Sequence, residues 1–359
     1  MSYNFKFNCL KFSSVLLLLL FLQVSFAQTH KKNDKEYGLG RFPELDATLT
    51  QYQKMLGNDV VALVWTDSLV FKKEMGEFDS KTEAPIASAS KWLTAALILE
   101  LVDEGKLSLD DKVSQFLPIY ELYGKKYITL RQCISHFTGI QGEKGVIAGL
   151  LQRKKFASLE EEVESFAKQE IQANPGTEFR YNNIGLNIAG RIAEVVTKRK
   201  FDQLIKQKLF TPLGMTKTTF STLDGSAVNP SGGARSTAND YMHFLQMLLN
   251  NGKYNGKQIL STDALKEMRK IQTTQEQIKS APKAAAGFDY ALGSWVLEGN
   301  KGEATALASP GLFGTWPMVD WCRGYACLFF AKTLLSEQKA DAYMNMKETL
   351  DEKLRSQCK

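Results

Sequence analysis

The sequence predicts an α/β fold: an antiparallel sheet built from both chain ends and flanked by helices, with a mainly helical insertion between. Three observations carry this. Residues 59–65 and 69–73 are short runs rich in β-branched and aromatic residues, separated by the turn-prone Thr66-Asp67-Ser68. Tyr325 to Lys332 is a strongly apolar strand candidate near the other end. Between them, apolar residues recur at helical rather than strand spacing.

Residues 1–27 read as a secretory signal. Lys6 and Lys11 precede the apolar run Val15 to Leu22, and Ser25 and Ala27 form a small-residue cleavage site. That run is shorter than the roughly 20 residues a membrane-spanning helix needs, so no stable span is expected after cleavage. The mature chain is thus expected to be periplasmic or secreted. Residues 28–57 read as leader and linker, and 58–359 as one large domain with its insertion over about 105–230. Ser90 to Glu104 is apolar around nearly its whole circumference, which predicts a central, buried helix ended by Gly105. Ile184, Ile188, Ile192 and Val195 mark another helix. Tyr343, Met346, Leu350 and Leu354 form the apolar stripe of a last one.

The chain carries a formal charge of +6, or +4 (6 − 2) without Lys6 and Lys11. Its basic clusters, Arg153-Lys154-Lys155 and Lys198-Arg199-Lys200, are small and scattered among acids, as on a solvated surface, and nucleic acid is not an expected partner. Cys133, Cys322, Cys327 and Cys358 remain after the signal and allow three pairings. Cys322 and Cys327 flank the turn-like Arg323-Gly324, an arrangement in which they would face each other across a hairpin. No cysteine or histidine spacing suggests zinc, and neither metal nor cofactor is expected.

The chemistry begins at IASASKWLT, residues 86–94. Ser88 stands ahead of the buried helix, at the positive end of its dipole. Lys91 lies three residues on, one turn away on the same face, whereas Ser90 has Leu93 at that offset. Desolvation and the dipole favour a neutral amine there, able to take a proton from a hydroxyl. Ser-x-x-Lys recurs at Ser165/Lys168, Ser280/Lys283, Ser336/Lys339 and Ser356/Lys359, but only the first copy enters an apolar helix. In PGTEFRYNNIGLNIAG, residues 175–190, Tyr181 and Asn183 precede the next helix. A phenol with a lowered pKa beside an ammonium could return a proton to a leaving group. Asn183 can hold a substrate carbonyl or the lysine.

Together, Ser88-Ala-Ser-Lys91 and Tyr181-Asn-Asn183 resemble the serine β-lactamase and penicillin-binding-protein superfamily, in the branch of class C β-lactamases. EGKLSLDDKVSQFLP, ITLRQCISHFTGI, FTPLGMTKTTF and SGGARSTANDYMHFL resemble that branch's connecting segments. The resemblance spans roughly Asn58 to Leu335. It implies acylation of Ser88, with Lys91 and Tyr181 handling protons and backbone N–H groups forming an oxyanion hole. The third motif departs. Family members carry Lys-Thr-Gly or His-x-Gly, whereas ASPGLFGTWPMVD (308–320) has Ser309 in place of the cation or imidazole, then Pro310 and Gly311. On this alignment Leu312 supplies the second oxyanion N–H. A neutral Ser309 weakens recognition of a substrate carboxylate. Phe313, Trp316 and Trp321 are either pocket lining or core.

The expected activity is therefore an esterase or amidase rather than an efficient β-lactamase, acting on a small ester, amide or short peptide. A D-Ala-D-Ala-type peptidase or β-lactamase remains open, as does a non-catalytic penicillin sensor or binding module. A Ser-His-Asp hydrolase is disfavoured: His30 and His243 read as structural or surface, and His136 as a loop-fixing hydrogen-bonder.

Overall fold

The computed structural model describes residues 36–142 and 156–358. The predicted signal at 1–27, His30 and the Arg153-Lys154-Lys155 cluster lie outside those residues. One eight-stranded sheet dominates, its strands being β1 (Glu36–Tyr37), β2 (Val60–Trp65), β3 (Leu69–Met75), β4 (Asp289–Tyr290), β5 (Trp295–Asn300), β6 (Glu303–Ala308), β7 (Thr315–Asp320) and β8 (Tyr325–Ala331). Their order is β1-β3-β2-β8-β7-β6-β5-β4, and every pairing is antiparallel. The two chain ends meet at the centre, where Val60 pairs with Ala331 and Trp65 with Ala326.

Both faces of this centre are covered, which explains why β2 and β8 read as unbroken apolar runs rather than alternating ones. The pleat still sorts them. Val61, Leu63, Ala326, Leu328 and Phe330 join the large core around α2 (Ser90–Asp103), which is buried on nearly all sides. Val60, Ala62, Val64, Cys327 and Phe329 face the opposite layer. There α1 (Pro43–Tyr52) and the C-terminal helix (Glu337–Lys353) pack together, with Leu45 and Leu49 against the same core as Tyr343, Met346 and Leu350. α1 and β1 lie inside the stretch that the sequence predicts as leader and linker. Their apolar signal is only two leucines a turn apart. The segment between the sheet halves is mainly helical, as expected, and includes Ile184–Thr197, whose predicted stripe residues Ile184, Ile188 and Ile192 are buried.

The cysteine expectation is overturned. The β7–β8 turn brings Asp320 opposite Tyr325, so Cys322 lies within the turn itself while Cys327 sits opposite Met318. Cys322 instead pairs with Cys358, at a Cα–Cα distance of 5.1 Å, and Cys133 and Cys327 are buried free thiols. Nearby, Glu298, Asp320 and Asp351 converge within 4.8 Å. Arg323 and Lys347 already bridge these carboxylates, so the charge a metal would bring is supplied by the chain.

The disulfide closes a loop of 36 residues. In the chain-entropy account such a cross-link stabilises by about 3–4 kcal/mol. Cys358→Ser is expected to lose most of that, read as a lower denaturant midpoint. An unchanged midpoint would show that Lys347 and Arg323 hold the helix unaided.

Candidate active site

A short bridge presents Ser88. Ala84–Pro85 pairs with Arg235–Ser236, and the Ile86 N–H donates to Ala234 O at 3.0 Å. The chain then turns through Ala87, a non-glycine residue with φ of 44°, before entering α2. Such a conformation persists only when its surroundings hold it. Ser90 accepts the Ala234 N–H at 3.1 Å and Tyr241 donates to Ala89 O at 2.8 Å. Ser90 therefore anchors the turn, and Ser88 is the serine beside the amine.

Lys91 is 1% exposed. Its Nζ lies 3.3 Å from Ser88 Oγ, 3.2 Å from Asn183 Oδ1 and 2.9 Å from the Ser231 carbonyl oxygen. No carboxylate is among these partners, and burial lowers its pKa to about 7. In the neutral amine, two hydrogens satisfy Asn183 and Ser231, which aims the lone pair at the Ser88 hydroxyl. The ammonium lies 4.8 Å from the Tyr181 ring centroid, a cation–π arrangement in its charged form.

Tyr181 and Ser88 line the same cleft. The expected lowered phenol pKa does not occur. Burial pushes it above the ordinary tyrosine value, against a smaller opposing effect of the neighbouring Ser88 hydroxyl. A half-neutral Lys91 offers too little charge to reverse the desolvation, so the phenol stays a donor. Its ring packs against His136, Trp295 and Tyr290, at centroid distances of 4.6, 5.2 and 6.1 Å. His136 accepts the Asn182 N–H at Nδ1 (3.4 Å), so Nε2–H donates to the Tyr290 hydroxyl at 3.1 Å. Burial, then Lys91, hold the imidazole well below its usual pKa, and it ties loops together as a neutral ring.

The third segment comes from the sheet. Gly311 packs so closely on the nucleophile turn that a Cβ would lie 2.1 Å from Ile86 O. Neither the Ser88 nor the Leu312 N–H has a backbone acceptor among the described residues, as oxyanion donors require. Ser309 is brought to the same place, but its buried hydroxyl faces the carbonyl oxygens of Ser88 (3.4 Å) and Gly293 (3.3 Å). Trp316 is fully buried against Tyr343, and Trp321 packs on the core beneath Arg269, so neither lines the site.

Ser88, Tyr181, Pro310 and Leu312 open onto a cleft of about 650 Å³. Trp295, residues 280–285 and the first turn of the C-terminal helix wall it. A slightly larger cavity of about 720 Å³, between Arg191, Lys198–Lys200 and Ser221–Val228, lies away from Ser88 and its amine. Sequence reasoning missed Ser231 and Asn187, whose Oδ1 accepts the Ser231 N–H at 3.0 Å and so aims that carbonyl at Lys91. The available signal was Asn183 and Asn187 one turn apart among the apolar residues Ile184, Leu186 and Ile188.

A model of the beta-lactamase family matches residues 45–351. Protein Rv1367c of Mycobacterium tuberculosis (strain ATCC 25618 / H37Rv) is 26% identical over 330 residues, covering 72% of this chain and 82% of that protein. A candidate beta-lactamase from Bacteroides dorei superposes with a TM-score of 0.76 at 29% identity, covering 87% of this chain and 98% of that one. A family VIII carboxylesterase superposes at 0.70 with 17% identity, covering 88% and 98%, a likeness of fold alone.

Proposed function

The chain belongs to the beta-lactamase family, and from that premise we propose that it is an exported serine hydrolase cleaving small esters or amides through an acyl-enzyme on Ser88. One observation carries the reading. The Ser88 hydroxyl and a Lys91 amine held near neutrality meet at 3.3 Å beneath an open cleft, with no carboxylate among the described residues hydrogen-bonded to the lysine.

Ser88 Oγ attacks the acyl carbon as Lys91 accepts its proton. The Ser88 and Leu312 N–H groups stabilise the resulting oxyanion. As the bond to the leaving oxygen or nitrogen breaks, the proton passes through the Tyr181 hydroxyl to that atom. Water then adds to the acyl-enzyme, giving its proton to the same amine, and the acid leaves with Ser88 restored. Asn183 holds the amine.

Ser309 turns its hydroxyl into the backbone, which leaves no fixed cation at the third motif. This supports a neutral ester or amide over a carboxylate-bearing β-lactam, since a charge-assisted bond to carboxylate is worth roughly 1.5–3 kcal/mol. The Cys322–Cys358 bridge supports export, because such bonds persist in oxidising compartments.

The test is steady-state hydrolysis of p-nitrophenyl butyrate by the mature chain and by Ser88→Ala. Turnover is expected in the first and a loss of at least about 10³-fold in the second. Equal rates in both would remove Ser88 from the reaction. Stable acylation without product release would favour a sensor, and fast turnover of nitrocefin would overturn the preference against β-lactams.

A further inference from the structure

Ser309 occupies the place of a substrate-facing cation yet does not face substrate. We propose that it is a positioning residue for the nucleophile, clamping the Ser88 turn to the sheet through its hydroxyl. The proposal rests on the serine-hydrolase reading above.

Three segments meet at this side chain. Ser309 follows the end of β6, while its Oγ lies 3.4 Å from Ser88 O and 3.3 Å from Gly293 O. One hydroxyl proton is thus shared between two carbonyls, in a place where Ser309 is 3% exposed. Gly293 belongs to the β4–β5 turn and is itself fixed. Its N–H donates to Ile134 O at 3.2 Å, and a Cβ on it would lie 2.9 Å from Lys91 O and 2.6 Å from the Ala95 side chain. The hydroxyl therefore links the sheet to both Ser88 and the backbone beside Lys91.

The nucleophile turn needs such a link. Ala87 stands at φ 44°, Lys91 reaches the Ser88 side chain, and Tyr241 and the Ser90 hydroxyl tie the backbone at Ala89 and Ala234. Ser309 acts on the carbonyl of Ser88 itself. Without it the turn has a route to relax, carrying Oγ and the Ser88 N–H away from the amine and the cleft. Misplacement on the scale of 1 Å costs about 10²-fold in rate.

The experiment is single-turnover acylation by p-nitrophenyl butyrate, with enzyme in excess, in wild type and in Ser309→Ala, Ser309→Thr and Ser309→Val. Thr and Val differ by a hydroxyl at nearly equal volume. Acylation is expected to slow about 10- to 100-fold in Ala and Val, with the half-saturating enzyme concentration within about twofold and rescue in Thr. Circular dichroism should match wild type in all three variants. An Ala variant as fast as wild type, or a Thr variant as slow as Val, overturns the proposal.

Amide hydrogen exchange over residues 86–90 supplies a readout independent of turnover. Faster exchange confined to that peptide is expected in Ser309→Ala, and unchanged exchange overturns the clamp. A wild-type chain inert towards the ester would sink the hydrolase reading, while this exchange comparison would still decide whether Ser309 holds the turn.

Discussion

Lys91→Met is expected to lower kcat/KM for p-nitrophenyl butyrate by about 10²–10⁴-fold, the range general-base catalysis supplies. Methionine keeps the length and apolar character of the buried stem but cannot accept the Ser88 proton. The wild-type rate should rise as pH passes through about 7, because the ammonium below that value has no lone pair to offer. The variant's residual rate should lack that rise.

Stability provides a second reading with the opposite sense. Lys91 is depressed from 10.5 to about 7 in the fold, so the unfolded chain binds this proton more tightly. Its burial therefore destabilises the wild type most below pH 7, by roughly 3–6 kcal/mol, and the cost vanishes as pH rises past about 10.5. Removing the amine also leaves Ser231 O and Asn183 Oδ1 without this donor, at about 1–3 kcal/mol. The pH dependence separates the two effects. Wild type should gain stability relative to Lys91→Met between pH 7 and 10, and parallel curves would show that Lys91 is not held neutral.

Gly311→Ala is expected to cost about 10²-fold or more in kcat while the fold survives. The added methyl would lie 2.1 Å from Ile86 O, 3.1 Å from the carbonyl carbon and 3.5 Å from Ala89 N, all backbone of the nucleophile turn. Nothing there is a flexible side-chain end, so the turn or the β6–β7 connection must move. Either movement separates Ser88 from Leu312 and opens the oxyanion hole, whose individual donors are worth about 10²–10³-fold. Overpacking of this kind costs about 1–3 kcal/mol. Gly40→Ala, with open space around it, is the control and should leave both activity and stability near wild type. Full activity in Gly311→Ala would mean that the turn yields without displacing the nucleophile.

The legible parts of the site are those written locally. Ser88 and Lys91 are one helical turn apart, and Tyr181 and Asn183 stand together at a helix entrance, so residue type and spacing carry their meaning. Ser231 enters through its carbonyl, an atom every residue owns, 140 positions from Lys91. Trp295 and the 280–285 wall reach the cleft only once the sheet edge has formed. Ser309 carries a meaning only through its neighbours, because which way its hydroxyl turns depends on two distant carbonyls.

The same distinction holds for the fold. β2, β8 and α2 announce themselves because both faces or all sides are buried. α1 is obscured because only its two leucines mark the layer it covers. Cys358 found Cys322 rather than Cys327 because the β7–β8 turn contains one cysteine and sends the other down a central strand.

The pairing of β2 with β8 also dictates when this protein can exist during its own synthesis. Residues 60–65 wait for residues 326–331, so the central sheet cannot close until β8 has been made. The last cleft wall, at residues 335–338, and the partner of Cys322, at residue 358, arrive later still. Pairings so distant along the chain are slow to form. Closure of the sheet is thus deferred until β8 has been made, and any machinery that requires an open polypeptide meets one up to that point.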